Sequence, residues 1–232
     1  MVFGGIQKLS MVDYPGHMCA TVFTIGCNLR CPFCHNAPLV ISKPAELSGC
    51  IDEKDIIDYL SERKNMLDAL CITGGEPLLH DDLVPFMEKV RNIGYRIKLD
   101  TNGTRPELLR KITEMHLCDY IAMDIKNCRS KYSVTAGTDV NLEAVDESIS
   151  IIRSCGIPYE FRTTVCRPLH EEKDIVSIAE WLDGSMAYSL QQYNDDGEQI
   201  ASEGFLPLPK DELTGLAESI KRHFERVNIR GI

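Results

Sequence analysis

The 232-residue sequence lacks any uninterrupted apolar run of about 18 residues, the length that a helix needs to cross a membrane. It also lacks a segment rich in glycine, proline or serine, and no cluster of basic residues stands out. The 25 Lys and Arg against 35 Asp and Glu give a formal charge of −10, which disfavours binding to nucleic acid or anionic lipid. The first residues lack the basic and apolar regions of a signal peptide. We therefore expect one cytoplasmic domain with reduced thiols and no nucleic-acid or membrane partner.

Short β-branched segments alternate with amphipathic segments along most of the chain. The predicted strands are residues 20–25, 69–73, 95–99, 120–125, 159–165 and 187–190. The predicted helices are residues 53–63, 82–92, 106–115, 142–154, 173–182 and 210–226. Strict alternation predicts an α/β fold with a parallel sheet, either doubly wound or an incomplete barrel. In both architectures the chemistry lies at the carboxyl ends of the strands.

Ten cysteines are the main anomaly of the composition. Three of them form a Cys27-x3-Cys31-x2-Cys34 array in a polar loop directly after the first predicted strand. Core cysteines, a zinc site completed by His35, and attachment of haem through Cys31-Pro-Phe-Cys34-His35 are alternatives to an iron–sulfur cluster. The cluster fits best, and a [4Fe-4S] cube held by three thiolates leaves one iron open to a small chelating molecule.

The cysteine array resembles the signature of radical S-adenosylmethionine (SAM) enzymes. This resemblance implies an incomplete (β/α)6 barrel of parallel strands and a [4Fe-4S] cluster bound by Cys27, Cys31 and Cys34. It also implies that the amino and carboxylate groups of SAM chelate the open iron. Phe33 is placed near the adenine, and His35 is a further candidate for the cofactor site.

Polar or glycine-rich motifs follow three more of the predicted strands. They are Gly74-Gly75-Glu76, Asp100-Thr101-Asn102 and the pair Asp124 and Lys126. Taken alone, these residues could form a turn, a helix cap and a structural ion pair. Two consecutive glycines would also let the backbone approach a ligand closely.

The first motif resembles the GGE motif of radical SAM enzymes, and the other two resemble the DTNG and MDIK segments of glycyl-radical-enzyme activases. The resemblance implies that all of these residues belong to the SAM site, with Glu76 at the amino group and Lys126 at the carboxylate. Asp124 would contact a ribose hydroxyl or a cation. The resemblance also implies a site for a monovalent cation, formed by Asp100, Thr101, Asp124 and the Ala122 carbonyl.

The segment before the first predicted strand contains Asp13-Tyr14-Pro15-Gly16, which by itself predicts only a turn. It resembles the Asp-x-Pro-Gly loop of glycyl-radical-enzyme activases, which implies that Asp13 positions the substrate glycine loop. Together with Cys-Pro-Phe-Cys-His-Asn, it is most similar to the activating proteins of anaerobic ribonucleoside-triphosphate reductase. The implied reaction is reductive cleavage of SAM to a 5′-deoxyadenosyl radical, which takes a hydrogen from a reductase glycine. Flavodoxin or ferredoxin would supply the electron.

Three alternative functions remain open at this point. They are a pyruvate formate-lyase-type activase, a 7-carboxy-7-deazaguanine synthase and, from another class, a non-catalytic zinc-binding module. We assign residues 1–232 to one radical SAM domain, with a substrate-loop segment at 1–18, a partial barrel at 19–193 and a C-terminal loop and helix at 194–232. The seven cysteines outside the array are predicted to be small apolar residues, and Cys128 and Cys166 have no assigned role.

Overall fold

The computed structural model describes residues 1–42, 46–195, 199–201 and 204–232. The helices of these ranges are α1 (Ala37–Ile41), α2 (Glu53–Arg63), α3 (Leu83–Ile93), α4 (Pro106–Glu114), α5 (Tyr132–Ala136), α6 (Leu142–Ser154), α7 (Glu172–Trp181) and α8 (Lys210–Ile220). The strands are β1 (Val2–Ser10), β2 (Cys19–Thr24), β3 (Ile51–Asp52), β4 (Ala69–Gly74), β5 (Arg96–Thr101), β6 (Tyr120–Asp124), β7 (Tyr159–Val165), β8 (Ser185–Gln192) and β9 (Phe224–Arg230). None of the described helices combines the length and apolar character needed to span a membrane.

The chain forms two compact units, each built from separate segments. The first unit comprises Met1–Asn28, Pro38–Ile121 and Ala144–Ile157. The second comprises Leu29–Ala37, Ala122–Glu143 and Pro158–Ile232. Strand β6 contributes residues to both. The assignment of the whole chain to one domain stays a prediction.

Strands of the first unit lie in the order β3-β1-β2-β4-β5. Strands β2, β4 and β5 are parallel, with Cys19 opposite Ala69 and Ala69 opposite Arg96. Strand β1 runs antiparallel to β2 and pairs Ser10 with Cys19. Residues 11–18 therefore connect the strands at the amino end of β2, whereas the loop that begins at Gly26 follows its carboxyl end.

Strands β7, β8 and β9 of the second unit are parallel and lie side by side in chain order. Strands β2, β4 and β5 of the first unit also follow chain order. Such an order is typical of barrels, in which each new parallel strand is added on the same side of the previous one. In a doubly wound sheet the direction of addition reverses at a switch point. The predicted α/β class with parallel strands is confirmed.

All six predicted strands are present, but the predictions missed the outer strands of both units. Residues 1–18, predicted as a substrate-loop segment, contain β1, in which only Phe3 and Ser10 are buried. The helix predicted at 210–226 ends at Ile220, and the chain continues as β9. Ile220 and Phe224 are four residues apart, a spacing that fits a helix, and this explains the error.

Arg230 on strand β9 forms an ion pair with the buried carboxylate of Glu160. Glu160 on β7 is fully buried, and both of its carboxylate oxygens lie 2.8 Å from one guanidinium nitrogen of Arg230. The Ser189 hydroxyl on β8 donates a further hydrogen bond of 2.6 Å to the same carboxylate. The three strands of this unit are thus joined by one polar group as well as by their backbones.

We expect Arg230→Met to lower the free energy of unfolding by about 3 kcal/mol, because it leaves a buried carboxylate without its counter-charge. Urea unfolding under anaerobic, reducing conditions measures this loss. Lys221→Met is the matched control, since the Lys221–Glu218 ion pair is exposed and worth less than about 1 kcal/mol. Equal losses in the two variants would contradict the structural role of Arg230.

Candidate functional site

Gly74 and Gly75 hold the end of β4 against the backbone that leads to Cys27. A Cβ atom at Gly75 would overlap the carbonyl oxygen of Gly26, and one at Gly74 would overlap the backbone nitrogen of Thr24. The Gly75 amide donates a 2.9 Å hydrogen bond to the Thr24 carbonyl. Backbone of residues 24–26 therefore occupies the space where a side chain would stand at either position, and the predicted contact of the two glycines with SAM stays a prediction. Glycine at these two positions therefore lets the end of β4 pack directly against residues 24–26.

Glu76 is the centre of a buried hydrogen-bond network in the first unit. Its side chain is only 1% exposed and accepts hydrogen bonds from the Thr101 hydroxyl and the Asn102 amide, both at 2.6 Å. It also accepts from the Leu78 amide at 3.1 Å, and its own amide donates to the Gly26 carbonyl at 2.8 Å. The carboxylate thus joins the turn after β4 to the loop after β5. Its contact with SAM stays a prediction.

The Asn102 side chain is aimed at the first cysteine of the array. Its oxygen accepts hydrogen bonds from the amide and hydroxyl of Thr104, at 3.0 and 2.6 Å, so its nitrogen must face the other way. That nitrogen lies 3.0 Å from the side-chain oxygen of Asn28 and 3.8 Å from the Cys27 sulfur. Asn102, predicted as a cofactor contact, is therefore an N–H donor to Cys27.

Asp13 lies far along the strand from Cys27. Its carboxylate accepts a 2.6 Å hydrogen bond from the Thr21 hydroxyl, near the amino end of β2. At about 3.3 Å per extended residue, the five steps from Thr21 to Gly26 span roughly 17 Å. The structure does not bring Asp13 together with Cys27 and Glu76.

In the second unit, the Cys31–Cys34 turn is packed among aromatic side chains. The Cys34 amide donates to the Cys31 carbonyl at 3.0 Å, and burial raises the pKa of the Cys34 thiol. Phe33 is 5% exposed and meets His170 edge-on with ring centres 6.3 Å apart. His35 stacks on Tyr193 at 5.5 Å. The predicted Phe33 and His35 positions are thus fixed by ring contacts.

Asp124, Lys126 and Arg162 form a compact charged group in the second unit. The Asp124 carboxylate accepts from Arg162 at 2.6 Å and from Lys126 at 3.0 Å. Burial opposes ionisation of Asp124, but the charges of Arg162 and Lys126 outweigh it and hold its pKa well below the usual value. Two cations around one carboxylate leave a local surplus of one positive charge. Lys126 and Asp124 remain 18% and 27% exposed, so an anionic ligand group can reach them.

His170, which no sequence motif marks, is a neutral side chain that joins two loops within the second unit. Its Nε2 lies 2.9 Å from the Lys126 carbonyl and its Nδ1 lies 3.3 Å from the Cys166 amide. These contacts fit a neutral ring that donates from Nε2 and accepts at Nδ1. Burial lowers the pKa of His170 and raises that of Cys166 to about 12. A thiol with such a pKa carries little thiolate at neutral pH. Cys128 is buried as well, with its sulfur 3.6 Å from Asp174.

The sequence model of the Radical SAM superfamily matches residues 21–182. The chain is also 32% identical over 235 residues to a protein of Methanocaldococcus jannaschii provisionally named a glycyl-radical enzyme activating enzyme, an alignment that covers 98% of this chain and 95% of the relative. The chain belongs to the radical SAM superfamily. The full-length match places this radical SAM protein with the activating enzymes, as the resemblance predicted. The hypothesis of a non-catalytic zinc module is not supported.

Two other relatives match over shorter stretches. A pyruvate formate-lyase-activating enzyme of Listeria monocytogenes is 32% identical over 152 residues, 61% of this chain and 59% of the relative. A 7-carboxy-7-deazaguanine synthase of Halobacterium salinarum is 40% identical over 83 residues, 36% of this chain and 31% of the relative. The crystal structure of Streptococcus suis SuiB bound to SAM has a TM-score of 0.68 at 15% identity, covering 90% of this chain and 49% of SuiB. That last likeness confirms the radical SAM fold.

Membership of the radical SAM superfamily implies a [4Fe-4S] cluster and SAM, and each unit by itself contains residues whose chemistry fits these groups. The structure places Cys27 in the first unit and Cys31 and Cys34 in the second. Among the described residues, no three His, Cys, Asp or Glu side chains converge on a single metal ion. Thiolates of a four-iron cube bind separate irons, so they need not converge in this way. The Asn102 donor suits a thiolate ligand, and the surplus positive charge at Lys126 suits a carboxylate.

We expect Gly75→Ala to destabilise the protein by about 2 kcal/mol, because its Cβ overlaps backbone that cannot move aside cheaply. Thermal or urea unfolding of the protein before cluster loading measures the effect. Gly215→Ala in α8 is the control, since a Cβ there meets no atom within 4 Å and alanine favours the helix by up to about 1 kcal/mol. A Gly75→Ala variant as stable as the control would show that the close contact is unimportant.

We expect Asn102→Ala to make the reduction potential of the loaded cluster more negative. An N–H donor stabilises the extra negative charge that a cluster thiolate carries after reduction, and the variant removes that donor. A redox titration followed by electron paramagnetic resonance measures the shift. Asn92→Ala, at an exposed position, should leave the potential unchanged. An unchanged or more positive potential in Asn102→Ala would contradict the contact with Cys27.

Proposed function

We propose that this radical SAM enzyme generates a glycyl radical on anaerobic ribonucleoside-triphosphate reductase. The observation that carries the activase part is the match to the M. jannaschii relative over 98% of this chain. The Asp13-Tyr14-Pro15-Gly16 loop and the Cys31-Pro-Phe-Cys34-His35-Asn36 sequence support the reductase as partner. When bound, the cluster and SAM supply a 5′-deoxyadenosyl radical that takes a hydrogen atom from the partner's glycine.

The chain's own residues hold and orient these groups. Cys27, Cys31 and Cys34 would bind three irons and leave the fourth to SAM. Phe33 lies within the Cys31–Cys34 turn and is buried, which supports its role next to the adenine. Lys126, held 3.0 Å from Asp124, presents a fixed ammonium to the SAM carboxylate. Such fixed contacts limit the motion of SAM while a radical exists.

Asp13 acts at a distance from the reacting glycine. Its place near the amino end of β2 is roughly 17 Å from the loop that carries Cys27. A substrate segment that contacts Asp13 and also reaches SAM must therefore run along the strands for about five extended residues. We assign Asp13 to the flank of the substrate loop and not to the glycine itself.

An external flavodoxin or ferredoxin supplies the electron in this proposal, and the cytoplasm is the proposed location. The seven cysteines outside the array lack the spacing of a second cluster, so the chain offers no internal relay of that kind. The electron donor must then reach the same cluster that binds SAM, while the partner glycine has to reach only the 5′ carbon of SAM.

The test is anaerobic incubation of the reconstituted enzyme with SAM, reduced flavodoxin and the reductase, followed by electron paramagnetic resonance. We expect a glycyl-radical signal on the reductase and 5′-deoxyadenosine in the supernatant. Cys34→Ser should abolish both, because it removes a cluster ligand. Cys155→Ser, a substitution outside the array, should retain both.

Parallel incubations distinguish the alternative functions. A glycyl radical on pyruvate formate-lyase and none on the reductase would contradict the partner and leave the activase class intact. Formation of 7-carboxy-7-deazaguanine, without any glycyl radical, would contradict the activase function itself.

A further inference from the structure

Lys98 is a fully buried lysine that the proposed reaction does not use. It lies on β5, where its ammonium forms an ion pair with the carboxylate of Asp100 and lies 3.8 Å from the Cys71 sulfur. Lys98 is 0% exposed and Asp100 is 8% exposed. Two residues apart on a strand, the two side chains project from the same side. A buried ammonium is costly without a counter-charge, so this pair is an integral part of the unit.

Asp100 is one of the residues that the family resemblance implied as ligands of a monovalent cation beside SAM. Its carboxylate already has a cation in Lys98. A second cation at the same carboxylate would be repelled by the ammonium in a region where water screens little. The arrangement of the first unit therefore does not fit an additional metal ion at Asp100.

The other implied ligands are engaged in the same way. The Thr101 hydroxyl donates to Glu76 at 2.6 Å and accepts from the Gly103 amide at 3.1 Å. In the second unit, Asp124 is bound by Lys126 and Arg162. Each carboxylate of the implied cation site is thus neutralised by the chain itself.

We propose that the Lys98 ammonium takes the place of the monovalent cation, so that this enzyme binds SAM without sodium or potassium. The inference rests on the proposed SAM site. Lysine suits this task because its long stem is buried in register with Cys71 of β4 while its ammonium ends at Asp100. The charge that a metal ion would bring is then fixed by the fold and does not depend on the salt outside.

The first test compares potassium, sodium and choline chloride at equal ionic strength. We expect the unfolding temperature of the protein without cofactors, and the SAM dissociation constant of the reconstituted enzyme, to be the same in all three salts. A cation that binds only the folded state would raise the unfolding temperature in a saturable way. Such a rise with potassium or sodium in the natural protein, or a tighter SAM complex in either salt, would overturn the proposal.

The second test removes the ammonium. Lys98→Met keeps the stem volume and leaves Asp100 without its ion pair, so we expect its unfolding temperature to rise with potassium or sodium relative to choline. The double variant Lys98→Met/Asp100→Asn lacks both charges and should show no such dependence. Equal behaviour of the single variant in all three salts would contradict the replacement of a metal ion by Lys98.

The two tests separate this inference from the proposed function. If the enzyme fails to bind SAM in every salt, the proposed SAM site is wrong, and the unfolding temperatures still decide the cation question. If Lys98→Met does not fold, the unfolding temperatures of the natural protein and of the double variant in the three salts decide whether a metal cation binds.

Discussion

The buried carboxylate of Glu76 is the contact on which the arrangement of the first unit depends. It accepts hydrogen bonds from the turn after β4 and from the loop after β5, and its backbone amide binds the carbonyl of Gly26. Three chain segments are therefore fixed to one another at the carboxyl ends of their strands. The Asn102 side chain, and with it the donor to Cys27, is placed by this network. Gly74 and Gly75 make this network possible, because a side chain at either position would hold the two backbones apart.

Fixed charge is the second feature of the molecule. The chain as a whole carries a formal charge of −10, yet Lys126 and Arg162 around Asp124 give the second unit a surplus of positive charge where we propose the SAM carboxylate. In the first unit, Lys98 neutralises Asp100. Groups held in place by ion pairs need little reorganisation when a ligand binds, which is how a protein stabilises charge at low cost. The charge of the proposed site is thus set in part by Arg162 and Lys98, which form ion pairs with the predicted residues Asp124 and Asp100.

The sequence predicted much of this architecture because motifs and periodicity are local properties. The bounds of α2 and α6 coincide with the predictions, and the three motifs after the strands proved to be strand ends. Local patterns could not show that Gly75 packs against Gly26, or that Asp13 lies near the opposite end of β2, since both depend on strand pairing. They also missed β9, whose apolar residues fit two periods, and His170, whose hydrogen bond to the Lys126 carbonyl joins residues 44 positions apart. Burial of Lys98 is equally invisible locally, because lysine is usually exposed.

In the proposed reaction, a hydrogen atom moves from a glycine of the partner protein to the 5′ carbon of SAM. The most direct measurement uses reductase made with deuterated glycine, followed by mass spectrometry of the 5′-deoxyadenosine formed with the reconstituted enzyme. We expect one deuterium in the 5′-deoxyadenosine that forms in the presence of the labelled partner. Unlabelled 5′-deoxyadenosine, formed while SAM is cleaved in the presence of that partner, would contradict it.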